Sequence, residues 1–100
     1  KHTMKPEQTD HTDFFPEKPQ GKLVFFNGNA KITRMILQKG STIPEHTSPV
    51  NTYLLVLRGK IQFHINDMDI QINEKEAIEF PGSTTHSVFA FEDSVFLLFR

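Results

Sequence analysis

The sequence predicts an all-β domain, a sandwich or barrel of short strands. Several short segments alternate apolar and polar residues with a period of two, as half-buried strands do. Turn-forming residues recur at intervals of roughly 8–12 residues, the spacing of small sandwiches and barrels. The 100 residues include only three alanines and little helical periodicity. The best helical candidate, residues 52–58, is too short to be stable alone, so we interpret it as a buried strand.

The first two predicted strands are separated by a turn signal. Leu23–Phe26 is an aromatic and β-branched run that ends at Asn27–Asn29, where Asn-Gly is a favoured turn pair. Ala30–Gln38 alternates at first and ends before Lys39–Gly40. Both segments are therefore predicted to be strands that end at a turn.

Residues 60–72 predict a hairpin with one buried face. Lys60–Ile65 places three apolar residues on one face and Lys60, Gln62 and His64 on the other. A tight turn at Asn66–Asp69 is followed by Ile70 and Ile72 on the matching face. His64 is accordingly expected at the surface or in an interface.

Several of the remaining predicted strands are apolar on both faces. Ala77–Phe80, Ser87–Phe91 and Val95–Phe99 complete the series of predicted strands, and the segments that are apolar on both faces are Tyr53–Leu57, Val88–Phe91 and Val95–Phe99. Packing two sheets covers only one face of each strand, so the second apolar face needs another cover. Either the N-terminal stretch or a second copy of the chain would supply it. A homodimer is the more economical expectation, because a lone barrel of about 100 residues has a marginal core.

The distribution of hydrophobic residues divides the chain into two parts. Residues 1–22 contain only three of the 37 hydrophobic residues, together with Pro6, Pro16 and Pro19. We predict an N-terminal arm over residues 1–22, anchored by Phe14–Phe15 or else disordered, and a single barrel domain over residues 23–100. His2 and His11 fall in the arm, where a solvated imidazole is the default.

Composition excludes several classes of function. The absence of cysteine rules out disulfides, a thiolate nucleophile and cysteine-based zinc sites. A net charge of −1 gives no basic stripe for nucleic acid. No segment has the length and apolarity of a membrane span, and no signal peptide is visible. The expectation is a cytoplasmic protein.

The polar residues best suited to binding a ligand or a metal lie in two segments. In the first, Gly40 is followed by His46, Ser48 and Thr52, and Gly59 closes the next strand. In the second, a proline turn at Pro81 delivers His86 at the start of a strand. Two histidines held by rigid strands would converge inside a barrel, where imidazole nitrogen binds transition metals.

These segments resemble the two motifs of the cupin superfamily, G(X)5HXH(X)3,4E(X)6G and G(X)5PXG(X)2H(X)3N. The first motif matches at Gly40, His46 and Gly59, with Ser48 and Thr52 replacing its second His and its Glu. The second matches at Pro81 and His86, while Lys75, Ser83 and Ala90 replace its other defined residues. The resemblance covers about residues 30–100. It implies a double-sheet jelly-roll barrel of the small cupin type, usually dimeric, with a pocket at the barrel mouth.

The departures from the motifs fall on the metal site. Metal-binding cupins use three His and one Glu to hold Fe, Mn, Ni, Zn or Cu, and only His46 and His86 remain here. The hydroxyls of Ser48 and Thr52 are poor ligands by comparison. We therefore expect His46 and His86 to bind a divalent transition metal only weakly. Glu79 is a minor candidate for an added ligand.

Three hypotheses for function follow. In the first, a small organic ligand binds in the barrel pocket, with His46, Ser48, Thr52 and His86 as its polar anchors. In the second, the protein is a metal-dependent enzyme of the dioxygenase, isomerase or lyase type that uses the two-His site. In the third, it is a structural or regulatory dimeric module. The missing Glu and second His favour the first hypothesis.

Overall fold

The computed structural model describes residues 4–100 and confirms the all-β fold class. Within that range it contains no helix and therefore no helix that could span a membrane. Its nine strands are β1 (Gln20–Phe26), β2 (Lys31–Leu37), β3 (Thr42–His46), β4 (Thr52–Arg58), β5 (Lys60–Ile65), β6 (Met68–Asn73), β7 (Ala77–Phe80), β8 (His86–Ala90) and β9 (Ser94–Phe99).

The strands form two antiparallel sheets that pack face to face as a jelly roll. One sheet has the order β1-β2-β9-β4-β7, and the other has the order β3-β8-β5-β6. The core lies between them and is centred on Phe63, Phe96 and Leu54, which are all less than 2% exposed. Aligned packing of two sheets over alternating inward residues is the expected arrangement for these strand patterns.

The predicted hairpin of β5 and β6 is confirmed in register as well as in place. Ile61 pairs with Ile72 and Phe63 with Ile70, so the apolar residues share the buried face. Asn66 and Asp67 both have positive φ angles, of 51° and 60°. Two successive left-handed residues form the tight turn that matches the twist of an antiparallel pair, and Asn and Asp tolerate it better than most residues.

The third strand is the element that hydrophobic periodicity did not predict. Its sequence, Thr42–His46, includes Pro44 and Glu45 and only one large apolar side chain, Ile43. The strand forms because it pairs with β8 at a sheet edge, where Pro is tolerated. Tertiary pairing, not local propensity, determines this segment.

The N-terminal segment covers part of the outer face of the five-stranded sheet. In β9, Phe96 and Leu98 face the core, while Val95 and Leu97 face outward and are still only 1% and 8% exposed. Residues 4–19 form neither helix nor strand, and Glu7, Gln8 and Thr9 line a hollow beside Leu97 on this outer face. The Arg58 guanidinium lies 5.0 Å from the centre of the Phe15 ring, and the Gln38 side chain donates to the Phe15 carbonyl at 3.2 Å. Residues 1–3, including His2, lie outside the described range.

The arm contacts predict different roles for the two neighbouring phenylalanines. Phe15 packs under Arg58, whereas Phe14 is 68% exposed. Phe15→Ala is expected to lower the free energy of unfolding by about 1–2 kcal/mol, because it removes apolar burial and a cation–π contact. Phe14→Ala is the matched control and is expected to change it by less than about 0.5 kcal/mol. Urea denaturation measures both, and equal effects would contradict this role for Phe15.

Candidate functional site

Two histidines meet at one end of the barrel because β3 and β8 are paired. His46 is the last residue of β3 and His86 is the first residue of β8, and the two are direct cross-strand partners. Their ring centroids lie 4.3 Å apart at an interplanar angle of 63°. The structure therefore brings together the two histidines that the motifs indicated.

Both imidazoles are held in the same tautomer by backbone carbonyl groups. The His46 Nδ1 lies 2.9 Å from the Pro44 oxygen, and the His86 Nδ1 lies 2.9 Å from the Thr84 oxygen. A carbonyl oxygen only accepts, so each Nδ1 carries the hydrogen and donates it. The Nε2 atom of each neutral ring is then left with its lone pair, the arrangement that serves either ligand recognition or metal binding.

The two rings differ in their environment. His86 is 4% exposed and packs against the rings of Phe63 and Phe80, with centroids at 5.4 Å and 4.6 Å. His46 is exposed at the edge of the sheet. Burial lowers the pKa of His86 below its ordinary value of 6.5, and the nearby His46 and Arg100 lower it further, against the opposing effect of the Thr84 carbonyl.

Two loops that meet at this end of the barrel are tied together by hydrogen bonds. The Ser83 amide donates to the Ser48 carbonyl at 2.6 Å, and the Gly82 amide donates to the Asn51 side chain at 3.0 Å. A Cβ atom on Gly82 would lie 2.8 Å from the backbone of residues 49 and 50. Only glycine permits this close approach, which fixes the loop after β3 against the turn before His86.

A cavity of about 140 Å³ opens beside the two histidines. Apart from His46, His86 and Arg100, its wall is apolar and consists of Met35, Ile43, Leu54, Phe63, Val88, Phe96 and Leu98. A larger hollow of about 310 Å³ lies on the outer face of the other sheet, between the arm and β1 and β2, and none of the predicted site residues lines it. The cavity inside the barrel is therefore the candidate site.

Arg100 is a site residue that the sequence reasoning missed. It follows Phe96 and Leu98 at intervals of two, so it faces into the same cavity. Its Nε atom is buried and has no hydrogen-bond partner within the described residues, and its Nη1 makes only a long contact of 3.5 Å to the Ser48 hydroxyl. The alternation of inward-facing residues in β9, continued from Leu98 by two residues, would have identified Arg100.

The other predicted residues occupy different positions. Ser48 is 4% exposed and does not line the cavity, and its link to the site is the contact of its hydroxyl with Arg100. Thr52 is 1% exposed, and its hydroxyl donates to the Val50 carbonyl at 3.2 Å, so it does not line the cavity. Glu79 is exposed on β7 and does not line the cavity either. Ligand-binding roles for Ser48 and Thr52 stay predictions.

The two histidines outside the site have simple surroundings. His64 lies on the solvent side of β5, where its Nδ1 is 2.6 Å from the Asp69 carboxylate. That hydrogen bond raises the pKa of His64 above 6.5. His11 is an exposed residue of the arm, 3.9 Å from Asp13.

A small jelly-roll barrel with an apolar cavity and histidines at its open end defines the class of this protein, and comparison with known families agrees. The family model for the cupin domain matches residues 33–98. Because this match covers well over half of the chain, the protein belongs to the cupin family, as a Cupin_2-type member. No curated protein matches the sequence.

Solved structures share this fold at low sequence identity. An RmlC-like cupin from Desulfovibrio desulfuricans superposes with a TM-score of 0.82 at 24% identity, over 98% of this chain and 95% of that one. A cupin superfamily protein from Desulfitobacterium hafniense gives 0.81 at 13% identity, over 89% and 82%. KdgF from Halomonas sp. gives 0.74 at 19% identity, over 88% and 82%. Likeness at these identities shows the fold alone.

Cupins often bind transition metals, but the donors at this site do not fit such a centre. At the four positions where the motifs place metal ligands, only His46 and His86 offer nitrogen donors. The other two are hydroxyl residues with other partners, since Thr52 donates to the Val50 carbonyl and Ser48 faces Arg100. Residues 4–100 contain no group of three or more His, Cys, Asp or Glu disposed to hold a metal. No carboxylate lines the cavity, and the Arg100 guanidinium adds positive charge where a cation would need negative charge.

Buried His86 predicts a pH dependence of stability. Its pKa is lowered in the folded state, so as pH falls below about 6.5 the unfolded chain takes up a proton that folded His86 does not. The free energy of unfolding is therefore expected to fall between about pH 7.5 and pH 5.5. His86→Gln should flatten this slope, as measured by urea denaturation at each pH.

His64 provides a control in which stability depends on pH with the opposite sign. Its pKa is raised, so its contribution is present below about 6.5 and is lost as pH rises through the folded pKa. His64→Gln should therefore make the loss of stability toward acid steeper. A slope that His86→Gln leaves unchanged would show that His86 is not buried as described.

Proposed function

We propose that this cupin binds a small organic anion, a carboxylate with an apolar body, inside its barrel. The observation that carries the proposal is the Arg100 guanidinium, which lines an apolar cavity with a buried Nε that has no partner among the described residues. A buried donor without an acceptor costs about 1–3 kcal/mol, which an acceptor on a ligand would recover.

The charge in the cavity favours an anion. Arg100 is always protonated and lies close enough to His86 to lower its pKa. The cavity wall contains no acidic side chain. A guanidinium with free donors pairs with a carboxylate through two parallel hydrogen bonds, which gives both affinity and orientation.

The size of the cavity sets the size of the ligand. An engineered apolar cavity of about 150 Å³ holds benzene, and this one is about 140 Å³. A ring or a short chain of that size would pack against Phe63, Leu54 and Phe96. Arg100 also borders an open hollow of about 610 Å³ lined by Phe26 and Val50, so a longer ligand has room to extend outward.

The two imidazoles would recognise a second group on the ligand. Their Nδ1 atoms are committed to backbone carbonyls, so each neutral ring offers Nε2 as an acceptor. A hydroxyl on the ligand would donate to such a lone pair, whereas a second carboxylate would be repelled. A hydroxy-substituted carboxylate therefore matches the site better than a dicarboxylate.

The two alternative functions are less well supported. A metal-dependent enzyme would need an anionic ligand beside the two histidines, and the cavity wall supplies none. A purely structural module would have no need of a cavity with polar groups at one end. Binding of a small molecule accounts for both features.

Isothermal titration calorimetry with benzoate and benzamide tests the proposal. The pair has nearly the same shape, but only benzoate carries a charge. Benzoate is expected to bind at least about tenfold more tightly than benzamide, because one charge-assisted pair contributes about 1.5–3 kcal/mol. Hexanoate and hexanamide provide a second pair for a ligand without a ring.

Substitution of Arg100 separates this site from adventitious binding. Arg100→Met keeps an apolar side chain of similar length and should abolish the preference for the acid in both pairs. Arg58→Met, in an arginine that packs on Phe15 away from the cavity, is the matched control and should keep it. Absence of carboxylate binding in both pairs, or a preference that survives Arg100→Met, would contradict the proposal.

The metal alternative makes a different prediction for the purified protein. With two imidazoles and no anionic ligand, untagged protein is expected to carry far less than one equivalent of Fe, Mn, Ni, Zn or Cu. Elemental analysis of wild type, His46→Ala and His86→Ala measures this content. Near-stoichiometric metal that is lost in both variants would establish the two-His metal site instead.

A further inference from the structure

Two basic side chains lie opposite each other on the outer face of the five-stranded sheet, away from the barrel cavity. Lys22 on β1 and Arg34 on β2 are direct cross-strand partners. Arg34 pairs in turn with Leu97 of β9, which faces outward, so all three side chains lie on that face. The Cβ atoms of directly opposite residues are about 4.5–5.5 Å apart, and like charges in this arrangement destabilise a sheet.

No carboxylate in the described part of the chain pairs with these two cations. The three ion pairs among residues 4–100 involve neither Lys22 nor Arg34. Arg34 is half-buried, and its Nε atom is buried without a hydrogen-bond partner among the same residues. A buried donor that lacks an acceptor is costly, so this group is suited to an acceptor that comes from outside the protein.

Both cations line the hollow of about 310 Å³ between the N-terminal arm and the sheet. The floor of this hollow is apolar and is formed by Val24, Phe25, Ile32 and Leu97. The bulge of β1 shapes the floor, because the extra residue after Leu23 lets two consecutive side chains, Val24 and Phe25, line the same hollow. Bulges beside functional sites commonly re-aim a side chain in this way.

The arm provides the polar side of the hollow. Glu7, Gln8 and Thr9 line it there, and the side chains of Gln8 and Thr9 carry hydrogen-bond donors. Among the described residues that line the hollow, Glu7 is the single acidic one, against the two cations. The hollow therefore combines a net positive charge with an apolar floor.

We propose that this outer hollow binds an organic phosphate monoester, with the phosphate between Lys22 and Arg34 and the organic group on the apolar floor. A phosphate monoester carries nearly two negative charges and three acceptor oxygens. It can therefore engage both cations at once, whereas a carboxylate brings one charge. The guanidinium fork suits phosphate oxygens, and an ammonium group adds a second positive charge. The outer hollow shares no lining residue with the barrel cavity, so the two sites are independent.

Isothermal titration calorimetry with phenyl phosphate tests the proposal at about pH 8, where the phosphate is almost fully dianionic. The titration is run on the wild type and on Arg100→Met, which lacks the cation of the barrel cavity. Phenyl phosphate should bind both proteins with similar affinity. Methyl phosphate has the same charge without the ring and should bind several-fold more weakly, because it leaves the apolar floor uncovered.

Four substitutions in the Arg100→Met protein give a pattern of opposite signs. Arg34→Met should weaken the binding of phenyl phosphate at least about tenfold, because it removes a charge-assisted hydrogen bond. Lys22→Gln should weaken it about threefold, since an exposed charge contributes less. Glu7→Gln should strengthen it about twofold, because it removes a carboxylate that repels the ligand. Lys39→Gln alters an exposed lysine just beyond β2 and should leave the affinity unchanged.

Thermal unfolding separates a ligand-binding role of Lys22 from a structural one. Without ligand, Lys22→Gln should raise the Tm slightly, because it removes the like charge opposite Arg34. With phenyl phosphate present, the same variant should show a smaller increase in Tm than the wild type does.

Several results would overturn the proposal. They are the absence of phenyl phosphate binding, equal affinity for methyl phosphate, affinity that Arg34→Met leaves unchanged, an equal loss in Lys39→Gln, and binding that disappears in Arg100→Met. The last result would place phenyl phosphate in the barrel cavity. Failure of carboxylate binding in the barrel would leave these measurements unaffected.

Discussion

The candidate site depends on one cross-strand pair. Because β3 ends at the point where β8 begins, His46 and His86 are direct neighbours with ring centroids 4.3 Å apart. The proline-containing turn before β8 and the loop after β3 are hydrogen-bonded to each other, which keeps the two rings at the open end of the barrel. Without this pairing, the cavity would have an apolar wall and a single arginine.

The surroundings of this pair determine what it can bind. The carbonyls of Pro44 and Thr84 fix both tautomers, and burial disfavours the charged form of His86. Arg100 adds a permanent positive charge to the same cavity, and no acidic side chain in the cavity wall balances it. A divalent cation would meet two imidazole donors and one positive charge, whereas a carboxylate would meet a guanidinium whose buried Nε has no partner among residues 4–100. This difference is what supports the proposal that the barrel binds an anion.

The sequence predicted the fold class well because the physical signals were local. Strict alternation in Lys60–Ile65 and the Asn66–Asp69 turn specify the hairpin of β5 and β6 before any tertiary contact is known. The strand β3 could not be predicted in this way, since Pro44 and Glu45 oppose strand propensity and only pairing with β8 overrides them.

The site was predictable in part. Motif spacing predicts that His46 and His86 lie together, as they do. The same spacing predicts a pocket role for Thr52, which stays a prediction, and its side chain is not among those that line the cavity. Arg100 has no motif, and its role depends on the cavity that the other strands create. The sequence also left two possibilities for what covers the outer face of the five-stranded sheet, the N-terminal arm or a second copy of the chain. In the structure, arm residues Glu7, Gln8 and Thr9 line a hollow beside Leu97 on that face, while β1 stays exposed. Such contacts between distant segments do not follow from periodicity.

Proton nuclear magnetic resonance of the Arg100 Nε–H group during titration tests most directly whether Arg100 binds a carboxylate. Its cross-peak can be assigned from its loss in Arg100→Met and then followed as benzoate, benzamide or Zn²⁺ is added. We expect a downfield shift that saturates with benzoate, because the Nε–H group, which has no acceptor among residues 4–100, gains a carboxylate acceptor. We expect little change with the amide or the metal. A cross-peak that benzoate leaves in place, or that benzamide moves equally, would show that Arg100 does not bind a carboxylate in this cavity.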